Sequence, residues 1–177
     1  MSRIYVRKAT KTDLPAIKNI IDNAKQYLGE QGINQWQRSY PDSKVIEADV
    51  DDGIAYVLEV DGNVAGSASL HLGIDTDYLN IEDGDWINGT EAHYSAIHRV
   101  AVLSDYRGQG LSGKFLSNLL SISAFQGFKD VRIDTHPDNV GMQHVILSNG
   151  FEKRGIVHMN QSTAPGTERF AYQQILN

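Results

Sequence analysis

The stretch Val100-Ala101-Val102-Leu103-Ser104-Asp105-Tyr106-Arg107-Gly108-Gln109-Gly110-Leu111-Ser112-Gly113 constrains this chain more than any other. It reads as a strand, a polar turn and the start of a helix. Glycine in such a turn lets the backbone approach a ligand with no Cβ in the way. The first turn of the helix has N–H groups without intrahelical partners and a partial positive charge. Together these suit an anion of the phosphate or pyrophosphate type. One exposed charge–dipole contact is worth about 0.3–1 kcal/mol, so useful affinity requires several converging amides.

The pattern on either side of that turn sets the fold class. Ile4-Tyr5-Val6 reads as a short strand. Thr12-Asp13 ahead of Pro15 is a helix start, and Leu14, Ile17, Ile20, Ile21, Ala24 and Leu28 predict an amphipathic helix from about 13 to 30. Gly32 to Gln37 is a loop, and Tyr40-Pro41-Asp42 opens a second, shorter helix. Ala55–Val60 and Val64–Leu72 are strands joined at Asp61-Gly62, a type I′ hairpin signal. Residues 73–92 are polar and glycine-punctuated, an excursion with room for a bent strand. His93–Val102 is a longer strand whose imperfect alternation suits burial on both faces.

Beyond the glycine turn, Leu111, Phe115, Leu119 and Ile122 predict a helix to about Phe125. Val131–Asp134 is a strand, and Pro137-Asp138-Asn139 caps a helix that stops at Asn149-Gly150. Phe151–Met159 and Arg169–Leu176 are the last strands. The order β-α-α-β-β-β-α-β-α-β-β predicts an α/β fold, with a mixed sheet that begins antiparallel and carries helices on both faces. With 177 residues, no linker and no repeat, it reads as one domain over 1–177.

Several function classes fall away. With no cysteine there is no disulfide, no thiolate metal site and no cysteine nucleophile. A net charge of −6 argues against binding nucleic acid through its phosphates. The N-terminus lacks a signal-peptide core, and no run approaches the ~20 apolar residues of a membrane span, so the chain reads as a cytoplasmic protein. None of the histidines has a metal-ligand spacing, and His93 and His98, five apart on a strand, face opposite sides.

Two ligands compete for the turn. Gly108-x-Gly110-x-x-Gly113 matches the dinucleotide fingerprint literally, with Asp134 at a following strand end, which would make an oxidoreductase. Four polar residues separate Leu103 from Gly108, however, and the preceding half is a hairpin rather than a βαβ unit. The alternative is a resemblance. Arg107-Gly108-Gln109-Gly110-Leu111-Ser112, after a strand ending in an Ala-Val pair, resembles the R/Q-x-x-G-x-G/A signature of the GCN5-related N-acetyltransferase (GNAT) superfamily. Asn139 and Asn149-Gly150-Phe151 resemble its second signature, and the element order matches over nearly the whole chain. Ile33-Asn34-Gln35-Trp36-Gln37, His98-Arg99-Val100-Ala101-Val102 and Arg132-Ile133-Asp134-Thr135-His136 resemble small bacterial members of unassigned substrate.

The resemblance implies acetyl-CoA as co-substrate, an amine acceptor of unknown identity and no metal, and it leaves a homodimer open. It implies a sheet splayed at the acyl-CoA site, where backbone groups of Val100, Ala101 and Val102 pair with the pantetheine arm. It places Arg107, Gly108, Gln109, Gly110, Ser112 and Gly113 at the phosphates and Asn139 on the cofactor side. Ser112 departs from the usual Gly or Ala but keeps its N–H. Ile146 stands where many members carry the tyrosine that protonates the leaving thiolate. That departure keeps open a module of the same fold that binds acyl-CoA without turnover.

Single residues keep two readings each. Arg107 steers phosphates or is a solvated turn charge. Asn139 is a cofactor residue or a helix cap. Trp36 lines the acceptor pocket or covers core. His98 is the residue whose titration suits removing a proton from an amine near neutrality, or else a histidine packed in the core. Counted along an unbroken strand it shares a face with Val100 and Val102. It then lies about 13 Å before Val102, so that it would act through a water. Glu59 on the hairpin is the rival base.

Overall fold

The computed structural model describes residues 1–177. Seven strands form one mixed sheet in the order β1-β2-β3-β4-β5-β7-β6, with four α-helices in the connections. The strands are β1 (Ile4–Lys8), β2 (Ala55–Val60), β3 (Asn63–Leu72), β4 (Tyr94–Val102), β5 (Asp130–Thr135), β6 (Glu152–His158) and β7 (Glu168–Ile175). The helices are α1 (Leu14–Glu30), α2 (Ser43–Asp51), α3 (Leu111–Phe125) and α4 (Val140–Ser148). The chain divides into two compact units, each made of two segments. The first comprises Met1–Leu70 and Arg99–Asn118, the second His71–His98 and Leu119–Asn177.

The first unit begins with an antiparallel sheet of β1, β2 and β3. Its hairpin turns at Asp61 (φ 51°) and Gly62 (φ 89°), the two left-handed residues a type I′ turn demands. Ile17, Ile20 and Ile21 of α1, Ile46 and Val50 of α2, Ala55 and Val57 of β2 and Ala101 of β4 form its core. Burying a side chain of that size is worth about 1.5–3 kcal/mol, which is what holds two amphipathic helices on the sheet.

An ion-pair network closes the entry to α1. Arg7 donates to both carboxylate oxygens of Asp13, at 2.8 and 3.0 Å. The Thr10 backbone N–H adds a bond of 2.8 Å. The Arg7 bonds, against burial and with help from Thr10, hold the Asp13 carboxyl at about 2. A carboxyl depressed on folding contributes stability above its unfolded pKa of about 3.8 and loses it as pH falls toward 2. Linkage sets the contribution at no more than about 2 kcal/mol. Arg7 is 34% exposed, so screening reduces it to about 1 kcal/mol. Urea unfolding should show that loss between pH 4 and 2, and Asp13→Asn should remove this part of the acid limb.

The second unit holds the N-terminal part of β4 with β5, β7 and β6. β5 and β7, and β7 and β6, pair antiparallel. The excursion at 73–92 contains no strand. It makes a 3₁₀ turn at Thr76–Tyr78 and a single bridge, Glu82 to Ile156. Tyr78 and Trp86 pack from it against Tyr94, Ala96, Val157 and Ala171. These buried aromatics tie a polar segment to the sheet where its periodicity carries no signal.

β4 pairs parallel with β5 through Tyr94↔Asp130 to Ile97↔Ile133 and no further. Arg99 sits at φ 54°, a left-handed residue inside a strand. Such a kink re-aims the chain and is common beside active sites. The left-handed residue at Arg99 interrupts, within the strand, the two-residue alternation that groups His98 with Val100 and Val102 on one face and spaces it about 13 Å from Val102, so neither expectation holds. The imperfect alternation of β4 marks this kink.

Candidate active site

In the first unit, β4 leads into a 3₁₀ turn, Ser104–Tyr106. Asn23 of α1 clamps it on both sides, donating to Ser104 Oγ and accepting from Ser104 N, each at 3.1 Å. The Arg107 guanidinium lies 3.4 Å from the centre of the Tyr27 ring on α1, a cation–π contact. Gly108 (φ 75°) and Gly110 (φ 67°) are both left-handed, and a Cβ at either would meet nothing within 4 Å. Their conformation, not crowding, calls for glycine, and the space around them is open. Arg107, Gly108, Gln109 and Gly110 are exposed, while Leu111 anchors α3 at 2% exposure. The first α3 bond runs from Lys114 N to Gly110 O. The N–H groups of Leu111, Ser112 and Gly113 precede it, without acceptors in the helix.

In the second unit, His98 follows the last β4–β5 pair and enters a polar cluster. Its Nε2 lies 2.6 Å from Asp75 Oδ2, and its Nδ1 lies 3.8 Å from Asp134 Oδ2. Its ring packs on Tyr78, 5.7 Å between centres. The Tyr78 hydroxyl donates to Asp134 Oδ2 at 2.7 Å, and Arg169 Nε stands 3.8 Å from Asp134 Oδ1. Burial and the Asp134 charge push the Tyr78 phenol well above its ordinary range, so it stays a donor. Asp77 is raised by burial and by the Asp75 charge.

The other candidates lie elsewhere. Glu59 accepts from Tyr5 Oη and Arg7 Nε, each at 2.7 Å. Those two bonds lower its pKa, the wrong direction for a base at neutral pH. Trp36 sits at φ 61° and packs against the first unit's core. Val100 and Val102 are half-buried and Ala101 is buried in that core. Asn139 caps α4, accepting from Met142 N at 3.1 Å. Ile146 is fully buried and has no proton to donate.

Sequence reasoning missed Asp75, which lies in a segment without periodicity. It met Asp134 as a dinucleotide residue and within the stretch 132–136 that resembles small bacterial members, and gave it no role beside His98. No group of His, Asp or Glu is arranged to hold a metal ion, and no helix is long and apolar enough to cross a membrane.

A family model described as the acetyltransferase (GNAT) family matches residues 17–151. The chain belongs to the GNAT acetyltransferase family. A GNAT-family acetyltransferase structure from Streptococcus agalactiae 2603 superposes with a TM-score of 0.86 and 31% identity, covering 98% of this chain and 96% of that one. One from Listeria monocytogenes 4b F2365 gives 0.74 and 21%, over 98% and 95%. The ribosomal-protein-S18-alanine N-acetyltransferase of Escherichia coli gives 0.64 and 18%, over 98% and 93%, a likeness of fold alone. The family match runs through the glycine turn, and the dinucleotide-oxidoreductase reading falls. Acyl transfer is the chemistry of the family.

Proposed function

We propose that this GNAT member is an N-acetyltransferase that moves the acetyl group of acetyl-CoA to a primary amine of a small molecule or peptide. The observation that carries this reading is the turn at Gly108 and Gly110, left-handed and in open space, running straight into the free amides of α3. A pyrophosphate fits such a cradle. In this reading Arg107, Gly108, Gln109, Gly110, Ser112 and Gly113 hold the phosphates. Val100, Ala101 and Val102 offer backbone groups to the pantetheine arm. Asn139, besides capping α4, lies on the cofactor side, and Trp36 belongs to the acceptor pocket. One acetyltransferase domain spans 1–177, a reading supported by a family match that runs through segments of both units.

The transfer is direct. No cysteine is present to carry an acyl-enzyme thioester. In a ternary complex the amine nitrogen forms a bond to the thioester carbonyl carbon and the carbon–sulfur bond breaks, the electron pair leaving on sulfur. The amine must shed a proton, and His98 takes it. Residues 71–98 contain six Asp or Glu and no Lys or Arg, a field that favours approach of a cationic amine. Ile146 supplies no proton to the thiolate, which solvent then protonates.

Acetyl-CoA at a hundredfold over its Kd should stabilise the protein by about 2.7 kcal/mol in thermal denaturation. Gly110→Val should cost about 1–2 kcal/mol of stability for a β-branched residue in left-handed backbone. It should also weaken acetyl-CoA binding about tenfold, since each 1.4 kcal/mol of lost contact is a factor of ten. Unchanged affinity would remove the turn from the site. Thiol release with a panel of amines separates turnover from binding alone: a tight acetyl-CoA complex with no release for any amine is the behaviour of a non-catalytic module.

A further inference from the structure

We propose that Asp75 is the positioning residue of His98, holding its proton on Nε2 and presenting Nδ1 to the acceptor amine. The inference rests on the reading of His98 as proton acceptor and adds the group that makes it competent. Asp75 comes from the polar excursion and meets His98 across 23 positions of sequence.

The carboxylate is fixed from several directions. Its Oδ1 accepts the backbone N–H of Asp77 at 2.9 Å, and the Asp75 N–H donates to the Tyr94 hydroxyl at 2.7 Å. Tyr94 is fully buried, so this anchor does not move with solvent. Burial, the largest single influence, opposes ionisation of Asp75, but the His98 bond and charge, the Asp77 N–H and His71 together outweigh it and the carboxyl lies below its ordinary range. An ionised carboxylate only accepts hydrogen bonds, so the ring nitrogen 2.6 Å away must donate. In the neutral imidazole the proton is then on Nε2 and the lone pair on Nδ1.

That arrangement orients a base and stabilises its product. As the nitrogen–carbon bond forms and the carbon–sulfur bond breaks, the amine proton passes to Nδ1. The imidazolium lies between Asp75 at 2.6 Å and Asp134 at 3.8 Å. Asp134 is itself oriented by the Tyr78 hydroxyl and Arg169. The charged and titratable groups around the ring are Asp75, Asp77 and Tyr78 from the excursion, Asp134 from β5 and Arg169 from β7. His71 lies toward Asp75.

The test compares wild type, Asp75→Asn and His98→Gln, using acetyl-CoA and the best amine from the panel. Asp75→Asn should lower kcat about ten- to a hundredfold, with acetyl-CoA affinity unchanged. The acidic limb of its rate profile should move to lower pH, because a carboxylate beside an imidazole favours the charged ring. Asp75→Glu should recover part of the rate. A merely structural role would lower the rate without moving the limb, and that result overturns the proposal. A full rate in Asp75→Asn beside an impaired His98→Gln overturns it while leaving His98 as base. A full rate in His98→Gln overturns the base reading and the proposal with it. Nitrogen-15 histidine shifts of the wild-type protein test the same point without a variant: a proton on Nε2 is expected, and a proton on Nδ1 alone overturns the assignment.

Discussion

Asp130→Ala should lower the unfolding free energy by about 3–5 kcal/mol, the cost of leaving a buried charge without its partner. Arg132 is fully buried in the second unit. Its guanidinium meets Asp130 at 3.1 Å and donates to the Gly89 carbonyl at 2.7 Å. It makes cation–π contacts with the rings of Tyr94, 3.7 Å to the centre, and Trp86, 4.4 Å. One of its nitrogens, Nη1, already lacks a hydrogen-bond partner. Asp130 also accepts from Asn88 and Gln173, so one truncation strands several donors. Denaturant unfolding measures the loss. The double variant Asp130→Asn with Arg132→Met should recover much of it, since a buried ion pair can give way to apolar packing at little net cost. A loss below about 1 kcal/mol in Asp130→Ala would mean that the charge finds water or another partner.

His98→Gln should reduce turnover on the order of a hundredfold at neutral pH, within the usual range for a lost general base. The amide keeps a polar side chain among Asp75, Tyr78 and Asp134 but cannot take up a proton. Acetyl-CoA affinity should be unchanged, because the turn proposed to hold its phosphates is Arg107–Gly113 and does not include His98. At higher pH more of the acceptor is free amine, so the deficit should shrink. Steady-state kinetics from about pH 6 to 9.5 with one amine decides the matter. Full activity across that range would make His98 a packed core histidine and send the search for the base elsewhere.

Both predictions turn on groups that a strand pattern cannot see. Arg132 reads in sequence as a charged residue of a short strand, and only the rings of Trp86 and Tyr94 make it a core cation. Glu59 reads as a possible base, and only the antiparallel register Tyr5↔Glu59 delivers it to Tyr5 and Arg7.

What the sequence by itself determined was local. Turn chemistry at Asp61-Gly62, the cap and proline before α1, the glycines at 108 and 110, and the 3.6- and 2-residue periods each act over a few residues. They set the element order, the mixed sheet and the glycine turn. The tertiary structure alone decided what lies far apart in the chain. The kink at Arg99 is held by its bidentate pair with Asp49, 50 residues away, and this breaks the alternation that the sequence count assumed. The aperiodic segment 73–92 is positioned by burial of Tyr78 and Trp86, and that burial brings Asp75 to His98. Pairings of this kind depend on register and on which aromatic finds which pocket, and neither is written in any window of the chain.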